Sequence, residues 1–239
     1  MKKSNIKPIN VIAEINKKGY CALNGFFDEE FINSISAEVS RHQSSINVNG
    51  LHAVWHKARQ LHFNQLLAIS KNFFNFATSR FVFDVCKGYL GNTFRLKACR
   101  YYETHGRFQM QWHTDNKQGR AFKDIPGLIF IFYITDVTDG EFQYVEGSHL
   151  WSCEKAYSDY SDEFIERQYQ NKVKSFKLPK GSLLIYNTYG IHRAKPSENS
   201  KFKRASVFFQ IDADKNNAEP IYLNPKFLKN LSARQQQIL

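Results

Sequence analysis

A histidine and an aspartate two residues apart, His113 and Asp115, are the residues whose types and spacing point most directly to chemistry. They follow a strand-like run, and residues i and i+2 of an extended chain point to the same side. The imidazole and the carboxylate can therefore converge on one point, where a metal ion would fit. The alternative is a strand-end histidine and a turn aspartate that make ordinary hydrogen bonds, which is the commoner outcome for an isolated pair of this kind.

A second histidine, His192, lies far downstream on a predicted strand that follows the run Gly181–Asn187. Two histidines and one carboxylate form the facial triad of non-haem Fe(II) oxygenases, which leaves coordination positions open for a co-substrate and oxygen. The chain has 8 histidines, so His192 alone is weak evidence. The three residues His113, Asp115 and His192 together predict an iron site.

An arginine, Arg204, follows His192 by twelve residues, and Ser206 lies on the same face of the same predicted strand. A guanidinium offers a planar fork to a carboxylate, and a hydroxyl two residues away can bind the same anion. The pair could hold the distal end of a dicarboxylate. The alternative is surface charge, because Lys201 and Lys203 stand beside the arginine.

The composition bounds these possibilities. With 239 residues, 42% hydrophobic and 23% charged, the chain is expected to form one globular domain, residues 1–239. The net charge of +11 favours anionic partners such as nucleic acid, an acidic lipid surface, or a phosphorylated or carboxylated small molecule. No nucleic-acid-binding motif accompanies the charge, so a nucleic-acid module is disfavoured.

The sequence also indicates where the protein is found. Its longest apolar run, Leu128–Ile134, is too short to cross a membrane and suits a buried strand, so no membrane insertion is expected. The N-terminus lacks the apolar stretch of a secretory signal. The 4 cysteines have no zinc-site spacing and are expected to be reduced thiols in a cytoplasmic protein. They are Cys21, Cys86, Cys99 and Cys153.

The first part of the chain, about residues 1–92, has apolar residues at helical spacing and predicts a helical support layer. Asp28 can cap a helix over 28–42, and residues 63–89 predict one or two further helices. A short strand is expected near residue 20. The segment 49–59 is expected to be a surface loop or part of a substrate entrance.

From about residue 93 to 212 the pattern changes to short β-rich runs separated by turn residues. Eight such strands predict a jelly-roll barrel. Residues 150–171 are too long for a hairpin loop and predict a lid, and residues 213–239 are a C-terminal extension. The predicted strands are 94–102, 107–113, 127–135, 141–146, 172–178, 182–187, 190–195 and 203–211.

The sequence resembles the phytanoyl-CoA dioxygenase-like branch of the Fe(II)/2-oxoglutarate-dependent oxygenases. The resemblance rests on Trp112–Asp115, on Asp136–His149 and on the stretch from Lys180 through His192 to Arg204, and it extends more weakly to Gly19–Glu30. It implies a mainly β fold with flanking α-helices, whose core is a double-stranded β-helix of the jelly-roll, cupin-like type.

The resemblance also implies the cofactors. His113, Asp115 and His192 would hold Fe(II), while Arg204 and Ser206 would bind the distal carboxylate of 2-oxoglutarate. O2 would oxidise this co-substrate to succinate and carbon dioxide, and a substrate hydrogen would then be removed. Because Asp115 is present, hydroxylation is favoured over halogenation, whereas desaturation, epimerisation and ring formation stay open.

Further residues lie on strands that could line the co-substrate pocket, although such residues also fill any barrel interior. The candidates are Tyr101, Tyr102, Gln111 and Thr135, and of these Tyr102, Gln111 and Thr135 are predicted to contribute to co-substrate binding. His149 is expected to be structural. Two arginines that flank the first core strands, Arg100 and Arg107, are expected to be solvated strand ends, with steering of an anionic substrate as the alternative.

The sequence thus predicts a dioxygenase that hydroxylates an unactivated C–H bond of a small metabolite or biosynthetic intermediate, for which the basic charge favours an anion. One alternative is the same chemistry on nucleic acid or on a carrier-tethered, sugar or lipid group. The other is a module that binds metal and 2-oxoglutarate without turnover. The sequence predicts no oligomeric state.

Overall fold

The computed structural model of the chain describes residues 6–49, 53–56, 60–63, 66–107, 109–116, 125–151, 160–215 and 221–239. The α-helices in these parts are α1 (Pro8–Lys18), α2 (Glu29–Asn49), α3 (Leu66–Ile69), α4 (Lys71–Ala77), α5 (Arg80–Leu90), α6 (Asp162–Tyr169) and α7 (Ala233–Ile238). The strands are β1 (Tyr20–Leu23), β2 (Ala53–His56), β3 (Gln60–Phe63), β4 (Arg95–His105), β5 (Gly127–Tyr133), β6 (Phe142–Val145), β7 (Val173–Phe176), β8 (Leu183–Asn187), β9 (His192–Ala194) and β10 (Lys203–Asp212).

The strands form two sheets. The larger has the order β1-β8-β5-β10-β4-β3-β2, and the smaller has the order β7-β6-β9. Neighbouring strands are antiparallel in both sheets. Rings from the two sheets meet between them, and the centroid of Phe142 on β6 lies 4.7 Å from that of Tyr186 on β8. The core is therefore a sandwich of two antiparallel sheets, as the pattern of short strands predicts.

The central strand β5 is apolar on both faces. Its even-numbered residues, from Leu128 to Phe132, pack into the core shared with the helices, while its odd-numbered residues, from Ile129 to Tyr133, face the space between the sheets. A continuous apolar run is typical of a strand covered on both sides. The large sheet thus separates a helical layer from an interior that can hold a site.

All the helices except α6 pack against the outer face of the large sheet. The Phe73 ring of α4 lies 5.7 Å from that of Phe209 on β10. Ser70 begins α4 by accepting a hydrogen bond from the N–H of Phe73 at 3.0 Å. The predicted cap at Asp28 is confirmed, because its carboxylate accepts from the N–H of Phe31 at 2.9 Å. The helix that follows it extends to residue 49 rather than 42.

The predicted strand over residues 107–113 is wrong. β4 instead continues to His105, and Gly106 turns the chain with φ +65° while its N–H donates to the carbonyl of Phe202 at 2.7 Å. Among the described residues of this segment, which exclude residue 108, Trp112 and His113 form isolated β-bridges and the others form no strand. The chain therefore approaches the site as a loop, and β-bridges at Trp112 and His113 fix the end of this loop.

The hairpin of β2 and β3 was also not predicted. It pairs with β4 and extends the large sheet, so Phe63 belongs to a strand and not to a helix. Residues 50–52 and 57–59 of the segment proposed as a loop or entrance lie outside the described residues.

The predicted lid, residues 150–171, includes a helix that the polar composition did not reveal. Ser161 caps α6 by accepting from the N–H of Phe164 at 3.1 Å, and residues 152–159 lie outside the described part of the chain. The C-terminal extension packs on the helical layer, where Ile238 is buried and the Phe227 ring lies 5.4 Å from that of Phe74.

No helix among the described residues is long and apolar enough to span a membrane. The cysteines that fall within them, Cys21, Cys86 and Cys99, are buried free thiols, and Cys153 lies outside the described residues.

Candidate active site

The two histidines of the predicted triad face each other across a short antiparallel bridge. The N–H of His113 donates to the carbonyl of His192, and the N–H of His192 donates to the carbonyl of His113, each at 2.9 Å. Their rings lie 4.4 Å apart at an angle of 54°. Backbone hydrogen bonds, rather than side-chain contacts alone, therefore fix the separation of the imidazoles.

Each imidazole is also oriented by a carbonyl two residues earlier in the chain. Nδ1 of His113 lies 2.8 Å from the carbonyl oxygen of Gln111, and Nδ1 of His192 lies 2.9 Å from that of Gly190. A carbonyl accepts hydrogen bonds only, so Nδ1 carries the proton in both rings and Nε2 is left as a lone-pair donor. Burial lowers the pKa of His192 to about 4, which keeps this ring neutral and able to ligate a metal at neutral pH.

The carboxylate of Asp115 completes the cluster. The backbone N–H of Asp115 donates to the carbonyl of Thr188 at 3.1 Å, and its Oδ2 lies 3.2 Å from Nε2 of His192. The hydroxyl of Tyr186 donates to Oδ2 at 3.1 Å. One ligand atom from each of His113, Asp115 and His192 lies within 4.8 Å of the others, which suits a divalent cation with two nitrogen ligands and one oxygen ligand.

This cluster lies at the wall of a cavity of about 260 Å³ between the two sheets. The residues that line the cavity come from both sheets and from the loop that precedes His113. They are Arg100, Tyr102, Met110, His113, Asp115, Ile131, Tyr133, Phe142, Tyr186, His192, Ala194, Arg204, Ser206 and Phe208.

Arg204 lies near the start of β10 and is held by a glycine turn. One of its guanidinium nitrogens, Nη1, donates to the carbonyl of Gly140, and its guanidinium carbon lies 5.9 Å from the centroid of the Phe202 ring. Gly140 has φ +58°, and a Cβ atom there would lie 2.6 Å from the Phe202 ring. The bend at Thr138–Gly140 therefore needs glycine both for its backbone conformation and for the space beside the arginine.

A row of hydroxyl groups crosses the sheet beside Arg204. Ser206 of β10 is the register partner of both Tyr102 on β4 and Tyr133 on β5, and these residues line the cavity together with Arg204. The hydroxyl of Tyr133 is buried and has no hydrogen-bond partner among the described residues. Burial raises the pKa of Tyr133 to about 12, so the group stays a neutral donor. An anion placed against Arg204 would satisfy it.

The cavity thus has two ends. The triad end consists of His113, Asp115 and His192 with Tyr186, and the arginine end consists of Arg204 with Tyr102, Ser206 and Tyr133. Tyr133, at the arginine end, lies on β5 four residues from Ile129, and Ile129 is the register partner of Tyr186 at the triad end. Four residues of extended strand span about 13 Å.

Six of the residues proposed from the sequence line this cavity, namely His113, Asp115, His192, Arg204, Ser206 and Tyr102. The structure places Gln111 and Thr135 elsewhere. The side chain of Gln111 is exposed, and only its carbonyl reaches the site, through His113. β5 ends before Thr135, whose hydroxyl accepts from the N–H of Ala205 at 3.0 Å. Tyr133 faces the cavity in its place.

Other residues considered in the sequence fall outside the cavity. Tyr101 points to the helical side of the sheet, where its hydroxyl donates to Glu103 at 2.6 Å. His149 is buried, and its Nε2 lies 3.2 Å from the carbonyl of Asn16, which is a structural role. Two cavity residues that were missed, Tyr133 and Tyr186, could have been found by counting alternate residues from Ile131 and Leu184.

Residues 15–205 match the family model described as phytanoyl-CoA dioxygenase (PhyH). No match was found among curated proteins.

Solved structures with the same fold include HygX from Streptomyces hygroscopicus with nickel and 2-oxoglutarate bound, which is 15% identical with TM-score 0.67 over 88% of this chain and 89% of that one. The non-haem α-ketoglutarate-dependent epimerase SnoN from nogalamycin biosynthesis is also 15% identical, with TM-score 0.62 over 86% of this chain and 80% of that one. At this identity the similarity concerns the fold, and it confirms the predicted jelly-roll core with flanking helices.

Proposed function

The chain belongs to the phytanoyl-CoA dioxygenase family, and from this premise we propose that it is an Fe(II)/2-oxoglutarate-dependent dioxygenase that hydroxylates a C–H bond of a small metabolite. The observation that carries the proposal is that one cavity holds a triad of two histidines and a carboxylate together with an arginine beside a row of hydroxyls. The first group suits a divalent metal and the second suits a carboxylate.

The donor set of the triad end fits iron. Nε2 of His113, Nε2 of His192 and a carboxylate oxygen of Asp115 would be the ligands, and three protein ligands would leave room on the metal for a co-substrate and oxygen. The carbonyls of Gln111 and Gly190 keep the two rings in the required tautomer. The hydroxyl of Tyr186 would hold one oxygen of Asp115 and so direct the carboxylate toward the metal.

The arginine end fits the distal carboxylate of 2-oxoglutarate. Arg204 would supply a charged donor, and the hydroxyls of Ser206 and Tyr133 would supply neutral ones. The unpartnered hydroxyl of Tyr133 supports this assignment, because a buried donor without an acceptor costs about 1–3 kcal/mol of stability, a cost that a bound carboxylate would remove. Tyr102 lies in the same row and can contact the same group.

When bound, iron, 2-oxoglutarate and O2 supply an oxidant that removes a substrate hydrogen and delivers oxygen, with succinate and carbon dioxide as the other products. The protein positions this chemistry and shields it from water. Phe142 and Ile131 line the cavity beside polar groups, and the Phe142 ring lies 5.3 Å from that of His192. The presence of Asp115 supports hydroxylation over a reaction that needs a vacant ligand position.

The solved structures with this fold support the choice of cofactors, because HygX was solved with nickel and 2-oxoglutarate, and SnoN with Fe3+, α-ketoglutarate and nogalamycin RO. We also propose that the chain acts as a single catalytic domain, with residues of about 1–92 as the support layer, 93–212 as the core and 213–239 as an extension that packs on the support layer.

The test is succinate formation by the purified protein with Fe(II), 2-oxoglutarate and air, in the presence of small carboxylated and phosphorylated metabolites. We expect iron-dependent succinate and a product heavier than its substrate by one oxygen atom. His113→Ala should abolish both, whereas Gln111→Ala should retain them, because only the carbonyl of Gln111 reaches the site. Succinate formation by His113→Ala at the wild-type rate would refute the proposal.

A further inference from the structure

The two histidines of the triad have chain neighbours that contact each other behind the imidazoles. Trp112 precedes His113, and Arg193 follows His192. Because the bridge between the two histidines is antiparallel, these neighbours stand side by side, and they point away from the cavity. The guanidinium carbon of Arg193 lies 4.3 Å from the centroid of the Trp112 ring, within the range of a cation–π contact.

One carboxylate joins both of these neighbours. Oδ1 of Asp162, the first residue of α6, accepts a hydrogen bond from Nε1 of Trp112 at 2.9 Å and another from Nη1 of Arg193. The helix begins without this carboxylate, because the hydroxyl of Ser161 caps it by accepting from the N–H of Phe164. A single oxygen atom of α6 therefore binds the residue before one histidine of the triad and the residue after the other.

The ion pair of Asp162 and Arg193 belongs to a wider network. Nε of Arg193 donates to Oε1 of Gln143 on β6 at 2.9 Å, and Nε2 of Gln143 donates to the hydroxyl of Ser175 on β7 at 2.9 Å. The Asp162 side chain is 52% exposed, whereas that of Arg193 is only 13% exposed. Isolated surface ion pairs contribute little, but this guanidinium is already held by the small sheet, so less entropy is lost when Asp162 binds it.

The loop that carries His113 has a narrow attachment to β9. Among the described residues, its β-pairing with β9 is limited to the bridge between His113 and His192, whereas β9 pairs with β6 over three residues on its other edge. Trp112 forms a further bridge with Tyr160, just before α6, and packs in the same apolar cluster as Ile165 of α6. The segment of α6 therefore supports this loop at the residue next to His113.

On the basis of the proposed function, we propose that Asp162 is a positioning residue of the metal site. Its carboxylate holds Trp112 against Arg193 and so keeps the two segments that carry the imidazoles at the separation that a metal requires. It acts through these two residues and contacts neither the metal nor the co-substrate. Without it the loop before His113 is less ordered in the metal-free protein, and metal binding must order the loop at a cost in affinity.

Titration of the purified protein with Ni(II) against a competing chelator tests this role. We expect Asp162→Ala to lower the Ni(II) affinity by about tenfold, which is the lower end of the effect of groups that orient metal ligands. Asp162→Asn should lose less, because its amide oxygen can still accept from both donors. Urea denaturation shows that each variant is folded under the conditions of the titration, and a general loss of stability would leave the metal affinity of the folded molecules unchanged.

Glu163→Ala is the matched control. It removes an equal charge from the next residue of α6, whose side chain is exposed, so its Ni(II) affinity should match that of the wild type. A double-mutant cycle with Trp112→Phe tests the route of the effect. This variant keeps an aromatic ring but lacks the indole N–H, so the further change Asp162→Ala should cost less affinity in it than in the wild type.

The inference would be overturned by a wild-type Ni(II) affinity in Asp162→Ala, by an equal loss in Glu163→Ala, or by effects of Asp162→Ala and Trp112→Phe that simply add. A wild-type protein that binds no Ni(II) would instead refute the proposed function.

Discussion

The two ends of the cavity are built in different ways. At the triad end, reciprocal backbone hydrogen bonds fix His113 against His192, and two carbonyls orient the rings. At the arginine end, side chains that alternate along adjacent strands converge, and a single carbonyl, that of Gly140, holds Arg204. The triad end is thus set mainly by the path of the backbone, and the arginine end mainly by strand register.

This difference has a functional consequence. When one of three protein ligands to a metal is removed, no other residue of the cluster replaces it. A substitution at the triad end should therefore abolish activity rather than reduce it by degrees, which we call on–off behaviour. At the arginine end several donors share one carboxylate, so each change should have a graded effect on the affinity for 2-oxoglutarate.

The largest effect is expected for Asp115→Ala. It removes the only carboxylate of the triad, and we expect succinate formation to fall by about 1000-fold or more, because an iron site of this class needs its carboxylate ligand. Glu163→Ala, an exposed acidic residue of α6, is the control and should keep full activity. A loss of less than tenfold in Asp115→Ala would contradict the on–off behaviour of the triad end.

Arg204→Gln should weaken 2-oxoglutarate binding by about 100-fold, because charge-assisted hydrogen bonds contribute about 1.5–3 kcal/mol each. Arg204→Lys should weaken it less, since a point charge replaces the planar fork. Titration of the Ni(II)-loaded protein by calorimetry gives both values. Metal affinity should be unchanged in both variants, and a parallel loss of metal binding would show that the two ends are not independent.

Tyr186→Phe should produce a moderate effect at the triad end. The hydroxyl that donates to Asp115 at 3.1 Å is lost, while the ring remains. Outer hydrogen bonds to metal ligands are worth about tenfold or more in metal affinity. Metal titration with a competing chelator measures this, and 2-oxoglutarate affinity at saturating metal should stay the same. A metal affinity equal to that of the wild type would mean that Tyr186 does not direct the carboxylate.

Tyr133→Phe should produce the smallest effect, with opposite signs on stability and binding. Removing a buried hydroxyl without a partner should raise the free energy of unfolding of the ligand-free protein by about 1 kcal/mol. The same change should weaken 2-oxoglutarate binding by about fivefold, equivalent to one neutral hydrogen bond. Urea denaturation and calorimetry check the two signs. Ser206→Ala, which removes a hydroxyl from the same row, is a useful comparison. A Tyr133→Phe variant that loses stability would contradict the interpretation that the Tyr133 hydroxyl is a buried donor without a partner among the described residues.

The sequence predicted much of the fold because the signals were local. The continuous apolar run in 127–133 indicates a strand covered on both faces, and Asp28 marks a helix start that the structure confirms. The prediction that His113 and Asp115 share a site does not depend on the incorrect strand over 107–113, because backbone hydrogen bonds to His192 and Thr188 hold the two residues in place.

Other features depend on contacts that are distant in sequence. The pattern predicts a strand that includes Thr135, whereas β5 ends at Tyr133, and where β5 ends is set by its pairing with β8 and β10. Gln111 was assigned a side-chain role, whereas its contribution comes from its carbonyl, which no sequence pattern indicates. The β2–β3 hairpin forms against β4, and its pairing could not be deduced from the segment itself.

The most direct test of the account is anaerobic visible spectroscopy of the purified protein, titrated with Fe(II) and then with 2-oxoglutarate. We predict a weak charge-transfer band that forms only when both are present. The band should be absent in His113→Ala, and in Arg204→Gln it should appear only at higher 2-oxoglutarate concentrations. A wild-type protein that forms no band, or a band that persists unchanged in His113→Ala, would contradict the claim that this cavity holds iron and 2-oxoglutarate together.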